Sequence, residues 1–109
     1  MMFMIMCTDK PGLLETRMAI RPQHLAYLQA YEERILVAGP LQNEQGKSCG
    51  SLILIEVPDR AAAEGFAISD PYAKADLFES VIIRPFKQVI KDGSFIENKP
   101  LKMSVSPKE

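Results

Sequence analysis

Imidazole chemistry has one place to occur in this chain, because His24 is its only histidine. An imidazole exchanges protons near neutral pH and serves as a general base or acid. Asp70, in Ser69-Asp70-Pro71-Tyr72, is the candidate partner that would orient the ring. Asp-Pro is also an ordinary helix stop, with the carboxylate bonding nearby backbone N–H groups, so the functional reading requires a fold that brings Asp70 to His24. Arg17, Arg21 and Arg84 are candidate anion binders, since a guanidinium fork matches a carboxylate through two parallel hydrogen bonds. Ser69 and Tyr72 flank Asp70 and could donate to a substrate oxygen. One histidine with Cys7 and Cys49 cannot complete a His/Cys zinc site unless carboxylates or a second subunit contribute. No metal or cofactor is expected. The two cysteines form no CxxC; a disulfide between them is open on sequence alone, and no framework is implied.

The elements that must hold these residues follow from hydrophobic periodicity. Met2–Cys7 is a short run apolar on both faces, which predicts a strand covered on both sides. Pro22 predicts the start of the first helix, where its missing N–H costs least. His24, Tyr27, Leu28, Tyr31 and Ile35 then fall on one helical face. Ile35–Ala38 is a second strand closed by Gly39-Pro40, a proline that suits an edge or a strand end. Ser51–Val57 is a third strand, again apolar on both faces. Asp59 is a good N-cap for a second helix over Arg60–Ser69, and Asp70-Pro71 stops it. A short turn or helix around Tyr72–Asp76 leads to a last strand, Glu79–Arg84, ended by Pro85.

The order β-α-β-β-α-β is the ferredoxin-like α+β pattern, with a four-stranded antiparallel sheet and both helices on one face. Strands 1 and 3 carry the two-sided apolar pattern of central strands, while strands 2 and 4 end in proline, as edges do. The sheet face away from the helices then carries some of Met2, Met4, Met6, Leu52 and Leu54. Apolar surface of that extent marks an association site, which predicts a homodimer whose sheets face each other.

Composition bounds the rest. The chain has 109 residues, 47% of them hydrophobic, enough for one packed domain. Residues 1–90 are expected to hold that domain and 91–109 a C-terminal tail rich in Lys, Ser, Pro and Glu, with Phe95 and Ile96 as its anchors. Thirteen Lys and Arg against 14 Asp and Glu leave a net charge of −1, no footprint for nucleic acid or an anionic membrane. The opening MMFMIM lacks a basic flank and is too short for a signal peptide or a span, so the expected location is the cytoplasm.

Four segments together resemble the YCII-related (YciI-like) family: Arg17-Met-Ala-Ile-Arg21-Pro-Gln-His24-Leu, Ala38-Gly39-Pro40, Ser69-Asp70-Pro71-Tyr72 and Val81-Ile-Ile-Arg84-Pro-Phe86. The resemblance spans about Met1 to Ile90. It implies a ferredoxin-like fold that pairs through its sheets as a dimeric α/β barrel, and a pocket holding a histidine–aspartate pair, here His24 and Asp70. Gly39 and Pro40 match the family's strand-end corner, and Arg17 and Arg21 the arginines leading to the histidine. Relatives that resemble chloromuconolactone dehalogenase and muconolactone isomerase imply acid/base chemistry on a small organic acid or lactone. The expected function is therefore a cofactor-independent isomerase or dehalogenase/lyase. In it His24 moves a proton, Asp70 steadies the ring, and Arg17 or Arg21 grips a substrate carboxylate. The alternative is a non-catalytic dimeric module that binds a small acid or serves a partner protein.

Overall fold

A computed structural model describes residues 1–96; the remainder of the expected tail, 97–109, lies outside the described residues. Strand β1 (Met2–Asp9) leads into helix α1 (Leu14–Ala30), and a single 3₁₀ turn over Glu32–Arg34 returns the chain to β2 (Ile35–Gln42). Strand β3 (Ser48–Glu56), helix α2 (Arg60–Ser69), the one-turn helix α3 (Pro71–Lys74) and strand β4 (Phe78–Pro85) complete the fold. The sheet is fully antiparallel in the order β2-β3-β1-β4, so β1 and β3 are central and the fold is ferredoxin-like.

Alternation along the central strands sorts the two sheet faces. Phe3, Ile5 and Cys7 of β1 and Ile53 and Ile55 of β3 point to the helices and pack with Ala63, Phe66 and Ala67 of α2 into the buried core. Met2, Met4, Met6, Leu52 and Leu54 take the opposite face and are half-buried, joined there by exposed Val37 and Ile82. Helix α2 has the expected bounds, and the Asp59 carboxylate accepts from the Ala62 N–H at 2.9 Å.

Strand ends shift by one to three residues from the sequence reading, and three larger differences follow. The first helix starts at Leu14 and carries Pro22 in its interior, so His24 lies in mid-helix, away from the dipolar N-terminus. The earlier turns hide from a hydrophobic pattern because the buried face of α1 is polar: its buried residues are Arg17 and His24. Pro22 forfeits one backbone hydrogen bond, a loss the tertiary contacts of α1 offset. Strand β2 continues through Gly39-Pro40 to Gln42, which an edge strand permits because the proline nitrogen has no neighbour to donate to. The start of the tail forms a minimal hairpin, β5 (Ile90–Lys91) with β6 (Ser94–Phe95), and Phe95 and Ile96 are exposed rather than packed into the core.

Candidate functional site

Burying a polar side chain costs free energy unless it is paired. Among the described residues the buried polar and charged side chains are Arg17, His24, Ser51 and Asp70, and all four belong to one cluster. None of its buried nitrogen or oxygen atoms lacks a partner. The cluster lies between α1, the C-terminal ends of β1 and α2, and α3.

The corner between α2 and α3 supplies Asp70. Its carboxylate caps α3 by accepting the Tyr72 N–H at 2.9 Å, and Pro71 fits the first helical position after it. The same carboxylate meets His24 Nδ1, at 2.9 Å through Oδ1 and 3.1 Å through Oδ2. A carboxylate that accepts both bonds makes Nδ1 the donor, so the ring nitrogen left to exchange protons is Nε2. His24 and Asp70 are 7% and 4% exposed, so water competes little for this bond. The helix stop and the histidine partner are therefore one side chain serving both purposes.

The Tyr72 ring stacks on His24 with centroids 4.0 Å apart and planes 19° off parallel. A cation also lies over this ring: Arg17 Cζ is 4.4 Å from the centroid. Burial raises the Tyr72 phenol above its ordinary value, while the charges of Arg17 and Arg21 pull it back down. Arg17 is held by Asp9, Nε to Oδ2 at 2.7 Å and Nη2 to Oδ1 at 2.9 Å, and the same Nη2 donates to Ser51 Oγ at 2.9 Å. Burial alone would lower the Arg17 pKa, but the bond and charge of Asp9 raise it on balance, so the guanidinium stays charged. Beneath them the Cys7 thiol is pushed up to about 12, first by burial and then by the nearby Asp70 charge. It is an inert core thiol; Cys49 is free and exposed.

A cavity of about 130 Å³ opens beside this cluster. Helix α1 walls it with Arg17, Arg21, His24, Leu25 and Leu28, strand β2 with Ala38, Gly39 and Pro40, and α3 with Tyr72. Of the residues singled out from sequence, the structure brings Arg17, Arg21, His24, Gly39, Pro40 and Tyr72 to this cavity, with Asp70 behind His24. Arg21 is exposed at the cavity and forms no ion pair among the described residues. Ser69 is not brought there; it is exposed at the end of α2 and its hydroxyl lies by the Tyr27 phenol. Arg84 sits opposite Met4, on the other sheet face. Among the described residues no three His, Cys, Asp or Glu side chains are grouped for a metal ion. No described helix is long and apolar enough to cross a membrane.

Asp9 and Ser51 were missed from sequence. Asp9 reads as part of a turn with Lys10-Pro11-Gly12, and nothing local says that its carboxylate reaches into α1. Ser51 did leave a signal: it shares the helix-facing side of β3 with Ile53 and Ile55, and a polar residue in that row needs a buried partner.

The YCII-related domain profile matches residues 1–87. Protein YciI of Escherichia coli is 39% identical over 97 residues, covering 82% of this chain and 99% of that protein. An uncharacterized protein of Haemophilus influenzae is 37% identical over 97 residues with the same coverage, 82% and 99%. Among solved structures, 5-chloro-2-hydroxyhydroquinone dehydrochlorinase from Burkholderia phenoliruptrix, in complex with 2,5-dihydroxybenzoquinone, matches with a TM-score of 0.75 and 32% identity. The match covers 80% of this chain and 94% of that one. A protein from Agrobacterium tumefaciens, with a TM-score of 0.52, 14% identity and coverage of 88% and 100%, shares the fold.

Proposed function

This chain belongs to the YCII-related family, and on that premise we propose that it is a small-molecule enzyme in which His24 and Asp70 perform general acid/base chemistry on a small organic acid, lactone or acidic ring. The observation that carries the reading is the concentration of every buried polar residue, among those described, around one small cavity. Stability alone gives no reason to bury a histidine–carboxylate pair, an arginine and a serine together, because well-packed apolar side chains would serve a core at least as well.

The roles follow from the geometry. His24 Nε2 takes a proton from the substrate. Asp70 keeps Nδ1 protonated and stabilises the imidazolium that results, as a carboxylate behind a catalytic histidine does. Arg21, without an ion-pair partner among the described residues, is the guanidinium available to an anionic substrate oxygen, whereas Arg17 spends Nε and Nη2 on Asp9 and Ser51. In an elimination, the electron pair of the bond to the removed proton forms the new double bond, the carbon–chlorine bond breaks, and chloride leaves with its pair, a net loss of HCl. In an isomerisation, His24 returns the proton at another carbon. Neither step needs an electron acceptor. The cavity is smaller than the roughly 300–1,000 Å³ of drug-sized pockets, which suits a substrate no larger than a single substituted ring.

We also propose that two copies pair through the open sheet face. Its support is the apolar row Met2, Met4, Met6, Leu52 and Leu54, flanked by Val37 and Ile82, on the side that no described helix covers.

The dehydrochlorinase match makes 5-chloro-2-hydroxyhydroquinone the first substrate to try, with chloride release as the readout. Turnover by the wild-type protein that falls by about 10²–10⁴-fold in His24→Gln, with fold and oligomeric state unchanged, is expected. Turnover that persists in His24→Gln excludes the mechanism. Ligand binding with no turnover, on this substrate and on small lactones and enol acids, favours the binding-module alternative.

A further inference from the structure

The His24 cavity does not end at its own walls. A second, larger groove of about 430 Å³ runs on from it between α1 and the edge strand β2. Leu25, Leu28 and Ala38 line both spaces, Ile35 extends the apolar wall, and Gln29 and Glu32 supply the polar part of the lining.

The groove lies on the helix side of the sheet. Ala38 and Ile35 pair with Ile53 and Ile55, whose side chains point to the helices. A second copy seated on the open face, where Met4 and Leu54 lie, would leave the groove uncovered. Its shape and chemistry also differ from those of the inner cavity. The inner space is tight and faces His24, Tyr72 and the arginines, while the outer one is roomy and apolar. Glu32 places a negative charge along it, which disfavours an anionic occupant.

Resting on the small-molecule reading above, we propose that the groove is a second subsite, which takes a neutral apolar substituent carried by the acidic ring or acid held at His24. The inner cavity then reads the reacting head of the substrate, and Leu25, Leu28, Ile35 and Ala38 read its alkyl or aryl tail. The substrate class is accordingly a small enol, phenol or carboxylic acid with an apolar side chain, rather than the bare ring.

The test is a homologous series: 2,5-dihydroxybenzoquinone and its 3-methyl, 3-propyl and 3-hexyl derivatives, titrated into the full chain by calorimetry. Each methylene that enters the groove should tighten binding by up to about fourfold, so the propyl derivative should bind at least about tenfold tighter than the parent. Nuclear Overhauser contacts should place the chain against the methyl groups of Leu28 and Ile35. Tightening with those contacts supports the subsite, including the case where the parent itself binds too weakly to detect. Equal or weaker binding of the alkyl derivatives, no binding by any member, or contacts to Met4 and Met6 in place of Leu28 and Ile35 overturns it. A parent that binds with no gain on alkylation refutes the subsite and leaves the acid/base reading standing. A gain on alkylation, with turnover indifferent to His24→Gln, does the reverse.

Discussion

Asp9→Asn changes almost no volume and removes one charge, which makes it a clean probe of what holds the site together. The Asp9 and Arg17 side chains are 7% and 3% exposed, and the carboxylate accepts two guanidinium bonds, at 2.7 and 2.9 Å. Asparagine can accept only one of them and turns an N–H₂ toward the other donor. Arg17 then keeps a full charge with only neutral acceptors, the asparagine oxygen and Ser51 Oγ at 2.9 Å, in place of a carboxylate. Removing one partner of a buried pair costs about 3–5 kcal/mol, because the survivor is left uncompensated. For a domain near 100 residues each kcal/mol moves the melting temperature by about 4–8 °C, so a fall of at least about 12 °C is expected. Urea denaturation and thermal unfolding followed by circular dichroism measure it. The double replacement Asp9→Leu with Arg17→Met removes both charges and should cost less than Asp9→Asn alone. The single imidazole gives a direct view of the site: its ring resonances should move in Asp9→Asn as the Arg17, Tyr72 and His24 stack loosens. A loss below about 1 kcal/mol, or a double variant as damaging as the sum of the two single ones, would show that Arg17 is not anchored by this pair. It would then be free to hold substrate.

Other consequences are simpler to check. Arg21→Ala should weaken binding of 2,5-dihydroxybenzoquinone by about 10- to 100-fold, the range of a charge-assisted bond, and should shift stability by no more than about 0.5 kcal/mol, as at other surface positions; calorimetry and urea titration read the two effects. Burial raises the Cys7 thiol from 9.0 to about 12, so the unfolded chain releases that proton first. Stability from this source is complete below pH 9 and is lost as pH rises toward about 12, by up to about 1.4 kcal/mol per pH unit; the alkaline decline in urea midpoint should be shallower in Cys7→Ala. In the native protein a thiol reagent should label exposed Cys49 rapidly and Cys7 only on unfolding, read by mass spectrometry. Sedimentation at micromolar concentration should show a dimer, and Leu54→Lys, which places a charge on the open face, should yield monomers; a wild-type monomer would refute pairing through the sheet.

Much of the fold was legible because it rests on local rules. The bounds of α2 follow from the Asp59 cap and the Asp70-Pro71 stop, both of which act within a few residues. The central places of β1 and β3 follow from apolar residues on both faces, and the edge places of β2 and β4 from their prolines. The first helix begins two turns before the start that its sequence pattern predicts, for a physical reason. Periodicity finds helices by their apolar stripe, and the stripe of α1 continues backward from Leu28 through His24 to Arg17 in polar side chains. A proline in that stretch therefore has the local signature of a helix start, although the segment before it is already helical.

By itself the sequence determined the inventory and the class: one imidazole, one Asp-Pro corner, two arginines ahead of the histidine, and an α+β sheet with one apolar face left over. Those properties live in residue identity and in spacing along the chain, where steric rules and hydrophobic alternation operate. Only the tertiary structure decided which of these side chains meet. It put Asp70 on His24 across 46 residues of chain and Ser51 on Arg17 across 34, and it left Arg21 facing the cavity while Arg17 was bound to Asp9. Such contacts depend on how α1 and the α2–α3 corner cross the sheet. That crossing is set by packing summed over the whole core, and no short stretch of sequence encodes it.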